Sequence, residues 1–391
     1  MRRTSLLRRT NLLSNLHVVA LPHTCTNGEF ATCAYTAKIE KFCRMMTGDK
    51  RKVILYGSEL NTAPCDEHVI VVTEERRQKW FGKDDHNDLT RGGFDWEPSS
   101  PWWSEMNSRT IGEIQKRCDD RDLLLLIAGR TQQIIADAIP QLTVAEFGVG
   151  YEGIITDRKG GPSFAAFESY SHQHFVYGTF GWRFPGRYGY DCVIPNYFDP
   201  ADFPHKNNGD GKYLLFVGRL IANKGPHIAA MIAKALDMPL VVAGPGAVSQ
   251  TENSVTADEI HIEPCQYVGP VGVEKRAELM AGAAALLAPT TYIEPFGGVA
   301  VEAMMCGTPA VTFDVGAFTE TIPHGLAGYR FHTLEEGVRY TKKALELNND
   351  QIRDYALSRY SLDAVRPLYN DWFDRLDGLW DGGWDTIPEV V

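Results

Sequence analysis

Short apolar runs alternate with amphipathic segments along the first half of the chain. The runs are LHVVALP (16–22), KVILYGS (52–58), VIVVT (69–73) and DLLLLIAG (122–129). Apolar runs of this length, separated by segments with helical spacing, are typical of strands that are buried on both faces of a parallel sheet. The pattern therefore predicts an α/β domain in which helices cover both faces of the sheet.

The same pattern resumes in the second half, after a polar stretch. That stretch, ADFPHKNNGDG (201–211), has the glycine and asparagine content of a linker. Further strands are predicted at YLLFV (213–217) and PLVVAG (239–244), and EKRAELMAGAAALLAP (274–289) predicts a helix and a strand. Because a length of 391 residues suits two domains, we expect a second α/β domain after the linker.

The most distinctive local pattern is APTTYIEPFGGVAVEAMMCGTPAV (288–311). It predicts a buried strand that ends near Pro289, a loop, a helix that starts after Gly297-Gly298, and a second strand. Gly307 and the proline after it mark the end of the helix. Between these marks nearly every residue is apolar or small, which is typical of a fully buried helix.

Two carboxylates fall in this segment, Glu294 on the loop and Glu302 on the buried helix. Burying a carboxylate without partners is costly, so Glu302 should meet hydrogen-bond donors, for which two sugar hydroxyls are suitable. A glycine pair at a helix N-terminus lets an anion approach backbone N–H groups at the positive end of the helix dipole. The segment thus predicts an anion site beside two carboxylates. The alternative is that Glu302 forms a cap or a salt bridge inside the core.

The spacing of these carboxylates matches a known family. Glu294 and Glu302, with seven residues between them around PFGG, resemble the Glu-x(7)-Glu motif of family 4 retaining glycosyltransferases. The likeness covers residues about 190–330, including EAMMCGTPAVTFDVGAFTETIPHGLAGY (302–329) and the boundary-like segment CVIPNYFDP (192–200). It implies an α/β architecture of the GT-B type, in which two Rossmann-like domains have parallel sheets that face each other across a cleft.

The resemblance also divides the chain into domains. They are a basic extension at 1–15, a first domain at 16–200, the linker at 201–211 and a second domain at 212–365. The amphipathic, aromatic C-terminal helix at 366–391 is expected to cross back to the first domain, as the last helix of GT-B proteins commonly does.

A second motif, Gly218-Arg219 followed by Lys224-Gly225, resembles the family's donor-phosphate motif. Two cations and a helix N-terminus that face a diphosphate can neutralise leaving-group charge without a divalent metal. The resemblance implies catalytic roles for Arg219, Lys224 and Glu294, with Glu294 on donor-sugar hydroxyls and Glu302 on the ribose. The other implied donor-binding residues are Gly218, Gly269, Phe296, Gly297, Gly298 and Val299, and a first-domain loop expected to face the cleft carries Asn27 and Gly28.

The chain departs from the family in its first domain. Many members have a histidine near the carboxyl end of an inner strand, whereas the strand ends at 128–130 and 146–148 contain none. This departure leaves the identity of the donor sugar open. The stretch LPHTCTNGEFATCAYTAKIEKFCRMM (21–46) also resembles uncharacterised glycosyltransferases that are often encoded by viruses.

Two further segments hold candidates for acceptor binding. The irregular insert WFGKDDHNDLTRGGFDWEPSSPWWS (80–104) carries Trp96 and Trp102, whose aromatic faces can stack on sugar rings or bases. The alternative, that the tryptophans only pin the insert to its domain, is at least as well supported. The segment FAAFESYSHQHFVYG (164–178) is predicted to be helical and offers His172, for which an ordinary surface or packed role is the favoured alternative.

Composition and charge narrow the classes of function. The net charge of −11 disfavours a protein that binds duplex nucleic acid through a broad basic face. The eight cysteines are scattered without a Cys-x-x-Cys pair, which indicates reduced thiols and a cytoplasmic location. No apolar run is long enough to predict a transmembrane segment. Asp120-Arg121-Asp122 matches a metal motif of another glycosyltransferase fold, but it precedes its strand instead of following it, so we expect no metal there.

We therefore expect a metal-independent retaining hexosyltransferase that uses a UDP- or GDP-linked sugar as co-substrate and needs no cofactor. Its acceptor would be a glycan, a lipid-linked sugar, a small molecule or, less favoured, DNA. The alternatives are a nucleic-acid-modifying glycosyltransferase, in which the tryptophan insert receives an extruded base, and a GT-B sugar-nucleotide epimerase or hydrolase. A binding protein without catalysis is less favoured, as is a Rossmann oxidoreductase, because no Gly-x-Gly-x-x-Gly follows the first strand.

Overall fold

The first domain is built on a parallel sheet whose strands alternate with helices. The computed structural model describes residues 14–30, 33–82, 94–148, 154–155, 158, 163–181, 189–205, 211–257 and 259–381. The strands of the first domain are β1 (Leu16–Val19), β2 (Val53–Ser58), β3 (Glu67–Val72), β4 (Leu123–Leu126), β5 (Thr143–Glu146), β6 (Ser163–Phe167) and β7 (Cys192–Val193). They form a seven-stranded sheet in the order β3-β2-β1-β4-β5-β6-β7, and every pairing is parallel.

Helices of the first domain connect these strands. They are α1 (Ala34–Met46), α2 (Glu74–Phe81), α3 (Pro101–Gln115), α4 (Gln133–Ala138) and α5 (Tyr170–Thr179). Short 3-10 turns occupy Gly28–Phe30, Gly129–Gln132 and Pro200–Asp202. The strands themselves are buried almost throughout, so their apolar residues form cores on both faces of the sheet.

The second domain repeats this architecture. Its strands are β8 (Leu214–Val217), β9 (Leu240–Ala243), β10 (Ser249–Gln250), β11 (Val255–Ala257), β12 (Ile260–Ile262), β13 (Gln266–Tyr267), β14 (Ala285–Ala288), β15 (Ala310–Phe313) and β16 (Gly328–Phe331). Six of them form a parallel sheet in the order β13-β9-β8-β14-β15-β16, and β10-β11-β12 form a small antiparallel sheet.

The second half of the chain supplies the remaining helices. They are α6 (Pro226–Leu236), α7 (Val273–Gly282), α8 (Gly298–Met305), α9 (Phe318–Thr321), α10 (Leu334–Ala344), α11 (Asn349–Tyr360) and α12 (Leu362–Asp377), with 3-10 turns at Ala222–Lys224 and Gly378–Asp381. Helix α8 is surrounded by other apolar residues of the domain, because its own residues between the flanking glycines are nearly all apolar.

Helix α12 belongs to the core of the first domain. Its residues Tyr369, Trp372 and Phe373 are buried together with Phe42 of α1. The buried guanidinium of Arg51 donates to Asp374 and to Asp377, each at 2.6 Å. Helix α12 therefore completes the core of the domain that the start of the chain begins.

The chain crosses between the domains at two neighbouring points. Phe198 N–H donates to the Tyr360 carbonyl at 2.8 Å, and Leu362 N–H donates to the Phe198 carbonyl at 3.1 Å. These bonds form a parallel bridge between Phe198 and Ser361. The two crossings are thus held side by side.

A second set of contacts joins the domains near the N-terminus of α5. The two carboxylate oxygens of Glu320 accept from the backbone N–H groups of Tyr170 and Ser171, at 2.8 and 2.7 Å. The Ser169 hydroxyl donates to the Pro295 carbonyl at 2.7 Å. The second domain therefore caps a helix of the first domain, because a carboxylate is favourable at the positive end of a helix.

The helix predicted at residues 164–178 is wrong in its first half. Residues 163–167 form strand β6, which pairs in parallel with β5, and α5 begins only at Tyr170. Ser169 ends the extended stretch, because its hydroxyl accepts from His172 N–H and caps the helix.

Two other findings concern the whole described chain. None of the helices in these ranges combines the length and the apolar character needed to cross a bilayer. All eight cysteines are free thiols.

Candidate functional site

The carboxyl ends of β8 and β14 meet at a cavity of about 280 Å³ in the second domain. Parallel strands bring the loops after their carboxyl ends to one edge of the sheet, which is where open α/β sheets bind ligands. The predicted residues that line this cavity, called the donor cavity below, are Gly218, Lys224, Glu294, Gly297, Gly298, Val299 and Glu302. The structure thus brings together residues that are far apart in the sequence.

Glu294 is held by two donors inside the donor cavity. Lys224 Nζ lies 2.8 Å from Glu294 Oε2, and the Tyr292 hydroxyl donates to the same oxygen at 2.9 Å. The ammonium also lies 4.7 Å from the centroid of the Tyr292 ring. These contacts fix the carboxylate and bring the Lys224 charge within reach of any group that Glu294 binds.

Glu302 pairs with a residue that the sequence did not single out. Arg276, on α7, approaches it as a fork, with Nε 2.8 Å from Oε2 and Nη2 3.0 Å from Oε1. Such two-point pairing holds a carboxylate in a fixed plane. Because the guanidinium uses one edge of the carboxylate, the outer lone pairs of both oxygens are left to accept other donors.

Gly297 and Gly298 open the N-terminus of α8 toward the donor cavity. Gly297 has a φ of +78°, and a Cβ there would lie 2.3 Å from Cε1 of Phe318. No side chain caps this end of the helix. Its first N–H groups are therefore available to an anion, which the helix dipole would also attract.

Three other predicted residues lie outside the donor cavity: Arg219, predicted to be catalytic, and Gly269 and Phe296, predicted to bind the donor. The Arg219 side chain is exposed. Gly269 follows β13 with a φ of +80°, and its carbonyl accepts from Gly244 N–H at 2.9 Å. Phe296 is buried between Phe198 and Tyr360, with ring centroids 6.4 and 5.9 Å away. The catalytic role of Arg219 and the donor-binding roles of Gly269 and Phe296 stay predictions.

The predicted first-domain loop is held by its own hydrogen bonds. Asn27 Nδ2 donates to the Leu60 carbonyl at 3.2 Å, and Asn27 Oδ1 accepts from Glu29 N–H at 3.1 Å. Gly28 is exposed. A part for this loop in substrate binding stays a prediction.

Trp96 and Trp102 pack against the core of the first domain. Trp96 lies 5.0 Å from Phe94 and 5.6 Å from Tyr35, and Trp102 lies 5.3 Å from Phe81, all between ring centroids. The indole N–H groups of Trp102 and of its neighbour Trp103 each donate to the Asp95 carbonyl at 3.3 Å. The packing suits the alternative in which tryptophans pin the insert, and residues 83–93 of that insert lie outside the described residues.

His172 belongs to a charged cluster at the carboxyl end of β6. Its Nδ1 lies 2.7 Å from Glu168 Oε2, and Lys38 Nζ donates to Glu168 Oε1 at 2.8 Å. Burial raises the pKa of Glu168, but the charge of Lys38 and the hydrogen bond from His172 outweigh it and lower the pKa to about 2. Glu168 therefore remains an ionised hydrogen-bond acceptor and is a poor proton acceptor near neutral pH.

The described ranges contain no group of three or more His, Cys, Asp or Glu residues suited to a metal ion. Asp122, from the discounted Asp-x-Asp match, accepts from Asn15 N–H at 2.8 Å and lies 3.0 Å from His17 Nε2. It is buried among these partners and has a structural role.

The second domain carries the sequence similarity to known proteins. Residues 198–358 match the family model described as Glycosyl transferases group 1. A D-inositol 3-phosphate glycosyltransferase of Mycolicibacterium smegmatis is 35% identical over 146 residues, which are 35% of this chain and 33% of that protein. A glycogen synthase of Mycobacterium tuberculosis is 34% identical over 147 residues, 35% of this chain and 34% of that protein. The chain thus matches about a third of the length of these curated relatives.

Solved structures extend the similarity to both domains. One of them is AviGT4, a glycosyltransferase involved in avilamycin A biosynthesis. Its alignment covers 93% of this chain and 98% of AviGT4, with a TM-score of 0.59 and a sequence identity of 17%. The alignment with sucrose-phosphate synthase from Thermosynechococcus elongatus covers 94% of this chain and 100% of that protein, with a TM-score of 0.60 and a sequence identity of 13%. The fold is GT-B. The predicted architecture is thereby confirmed, although identities this low carry no information on substrates.

Proposed function

We propose that this chain is a family 4 retaining glycosyltransferase that moves a hexosyl group from a nucleoside-diphosphate sugar to an acceptor hydroxyl. The observation that carries the proposal is the donor cavity, where Lys224–Glu294 and Arg276–Glu302 flank the uncapped N-terminus of α8. The match of residues 198–358 to a glycosyltransferase family supports it. HepE from Anabaena, which shares the fold, was solved with UDP and glucose.

The proposed binding mode assigns the sugar end of the donor to the ion pair of Lys224 and Glu294, and the nucleoside end to the ion pair of Arg276 and Glu302. The diphosphate would lie at the N-terminus of α8, with Lys224 and the exposed Arg219 supplying positive charge. Glu294 would accept hydroxyls of the hexose, and Glu302, held by Arg276, would accept the ribose hydroxyls. These cations and the helix N-terminus would replace a divalent metal, so metal independence is part of the proposal.

The proposed reaction exchanges one bond for another at the anomeric carbon. The bond from this carbon to the phosphate oxygen breaks, and the acceptor oxygen forms a new bond on the same face. The acceptor proton passes to the departing phosphate oxygen, whose charge Lys224 and the helix N–H groups stabilise. Retention of configuration follows from attack on the face that the leaving group vacates.

A nucleotide screen followed by a turnover assay tests the proposal. UDP, GDP and their hexose conjugates are added separately, and the melting temperature is measured, because a ligand specific for the folded state raises it. Nucleotide release from the stabilising sugar donor is then measured with and without a strong chelator. We expect a shift with one nucleotide series and chelator-resistant turnover. No shift with any of these ligands would contradict the proposal, and loss of turnover that magnesium restores would contradict metal independence.

The products distinguish the remaining alternatives. A glycosylated acceptor supports transfer, whereas free sugar formed with water alone supports a hydrolase and an isomeric nucleotide sugar supports an epimerase. Incorporation of labelled sugar into modified DNA would support the nucleic-acid-modifying alternative, which the net charge of −11 disfavours.

The eight free thiols also bear on location. Unpaired cysteines persist in reducing compartments, so we include a cytoplasmic location in the proposal. The resemblance of residues 21–46 to virus-encoded glycosyltransferases remains a prediction from the sequence alone.

A further inference from the structure

Tyr292 contacts both members of the ion pair that Lys224 and Glu294 form in the donor cavity. Its hydroxyl donates to Glu294 Oε2 at 2.9 Å, and its ring centroid lies 4.7 Å from Lys224 Nζ. Among the described residues, those that line the cavity include both partners but not Tyr292. Any effect of this tyrosine on a bound donor is therefore exerted through the two residues that it holds.

The two carboxylate oxygens of Glu294 have different surroundings. Oε2 receives both the Tyr292 hydroxyl and Lys224 Nζ, which lies 2.8 Å away. Within the described ranges, Oε1 has no hydrogen-bond or ion-pair partner. Because a carboxylate oxygen accepts about two hydrogen bonds, Oε2 is filled and Oε1 keeps its full capacity to accept. One oxygen of this carboxylate is thus left for a bound molecule.

Backbone contacts hold the loop that carries this carboxylate. Thr291 N–H donates to the Asn223 carbonyl at 2.9 Å, which joins the loop to the turn that carries Lys224. Beyond the tyrosine, Ala317 N–H donates to the Glu294 carbonyl at 2.9 Å. Because the backbone is held on both sides, rotation of the Glu294 side chain is the main freedom that remains, and the Tyr292 hydroxyl restricts it.

The two donors to Glu294 Oε2 differ in how firmly they stay there. Lys224 makes a single-point contact, and the proposed reaction draws its charge toward the diphosphate. The Tyr292 hydroxyl stands on a rigid ring with few rotatable bonds, and it carries no charge that a phosphate would attract. Tyr292 is therefore the partner that keeps Oε2 in place once a donor is bound.

We infer that Tyr292 is a positioning residue for recognition of the donor sugar. Its hydroxyl holds Glu294 Oε2, so that Oε1 is the oxygen that accepts from one hydroxyl of the hexose. The inference rests on the proposed function and adds to it that Tyr292 sets how strongly the protein discriminates against donors that lack this hydroxyl. A carboxylate that could rotate would present either oxygen and would bind the hydroxyl less firmly, because its geometry would not be set in advance.

Binding of deoxy donors tests the inference without relying on turnover. UDP-glucose, or whichever UDP- or GDP-hexose gives the larger shift in the nucleotide screen, is titrated by calorimetry beside analogues that each lack one hexose hydroxyl. Loss of the hydroxyl that Glu294 binds should weaken binding to the wild type by at least about tenfold, because the bond is charge-assisted. Glu294→Gln should lose this discrimination and so identifies the hydroxyl. The inference fails if none of the analogues shows such a loss.

Tyr292→Phe keeps the ring beside Lys224 and removes only the hydroxyl. We expect the discrimination at the identified hydroxyl to fall by at least about threefold, the effect of one hydrogen bond, and the discrimination at the other hydroxyls to stay unchanged. Tyr213→Phe is the matched control, because Tyr213 is also a half-buried tyrosine of the second domain, and its hydroxyl donates to the Leu279 carbonyl at 2.8 Å. This control should discriminate as the wild type does.

The ratios of affinities separate positioning from a general structural role. If Tyr292 only supported the fold, Tyr292→Phe would weaken the binding of all the donors equally and leave every ratio at its wild-type value. That result would overturn the inference, as would affinities that all match the wild type. Failure of the wild type to bind any nucleotide sugar of the screen would instead contradict the proposed function, which is a different result.

Discussion

Each carboxylate of the donor cavity is held by a cation from a different element. Lys224 comes from the turn before α6 and Arg276 from α7, whereas both glutamates belong to the segment around α8. The two pairs differ in kind. A lysine contacts its partner at a single point and can turn toward a new anion, whereas an arginine fork fixes the plane of its partner. We therefore expect Lys224 to move during the reaction and Arg276 to stay.

Lys224→Ala should lose most of the turnover. If the ammonium stabilises the departing diphosphate, its removal costs on the order of 2–4 kcal/mol of transition-state stabilisation. The rate of nucleotide release at saturating donor measures this loss. Lys275→Ala, which removes an exposed lysine beside Arg276, serves as the control and should leave the rate unchanged. A Lys224→Ala enzyme with the wild-type rate would remove this residue from the mechanism.

Among the elements, α8 shows what the sequence could predict. Glycines at both ends and apolar residues between them are local signals, and the helix spans Gly298–Met305 as that pattern indicates. Strand β6 shows the limit of local reasoning. Its residues carry no decisive period, and its strand form depends on pairing with β5, which is a tertiary contact. The strand was therefore mistaken for the start of α5.

The charged partners in the site were missed for a related reason. Arg276 stands 26 residues from Glu302 in the chain, and Lys38 stands 130 residues from Glu168. No spacing rule links residues on different elements, so only the assembled sheets show these pairs. A weak signal did exist for Lys38, which falls among the buried apolar positions of α1.

Gly297→Ala should destabilise the second domain. The backbone there has a φ of +78°, and the new Cβ would lie 2.3 Å from the Phe318 ring, so backbone strain and steric overlap add. We expect a loss of roughly 1–3 kcal/mol in the free energy of unfolding, measured by urea titration. Gly272→Ala is the control, since Gly272 has no atom within 4 Å of its added Cβ and a φ of −71°. Equal stability of the two variants would contradict the proposed strain.

At the scale of the whole molecule, two of the contacts between the domains are notable among the described residues. One is the paired crossing at Phe198 and Ser361, and the other is the Glu320 cap on α5 with the bond from Ser169 to Pro295. At the paired crossing, the polypeptide itself runs from one domain into the other. The contact at Glu320 and Ser169 consists only of hydrogen bonds, which can open. Because Pro295 is next to Glu294 in the chain, a change in the distance between the domains would also shift the Glu294 carboxylate.

Glu320→Ala should loosen the contact between the domains. It removes a carboxylate that caps two N–H groups of α5, and water would satisfy those groups in a more open arrangement. Small-angle X-ray scattering should then give a larger radius of gyration than for the wild type. Glu346→Ala, at an exposed glutamate away from the contact, is the control. A scattering curve identical to that of the wild type would show that this cap does not hold the domains together.

The return of α12 to the first domain has a consequence for biosynthesis. During translation, β1 to β7 leave the ribosome before the second domain is made, but Tyr369 and Trp372 follow only after it. Until then the nascent first domain exposes the apolar surface around Phe42 that α12 later covers. This domain therefore starts to fold first and finishes last, and in the interval its uncovered surface is one that a chaperone could bind.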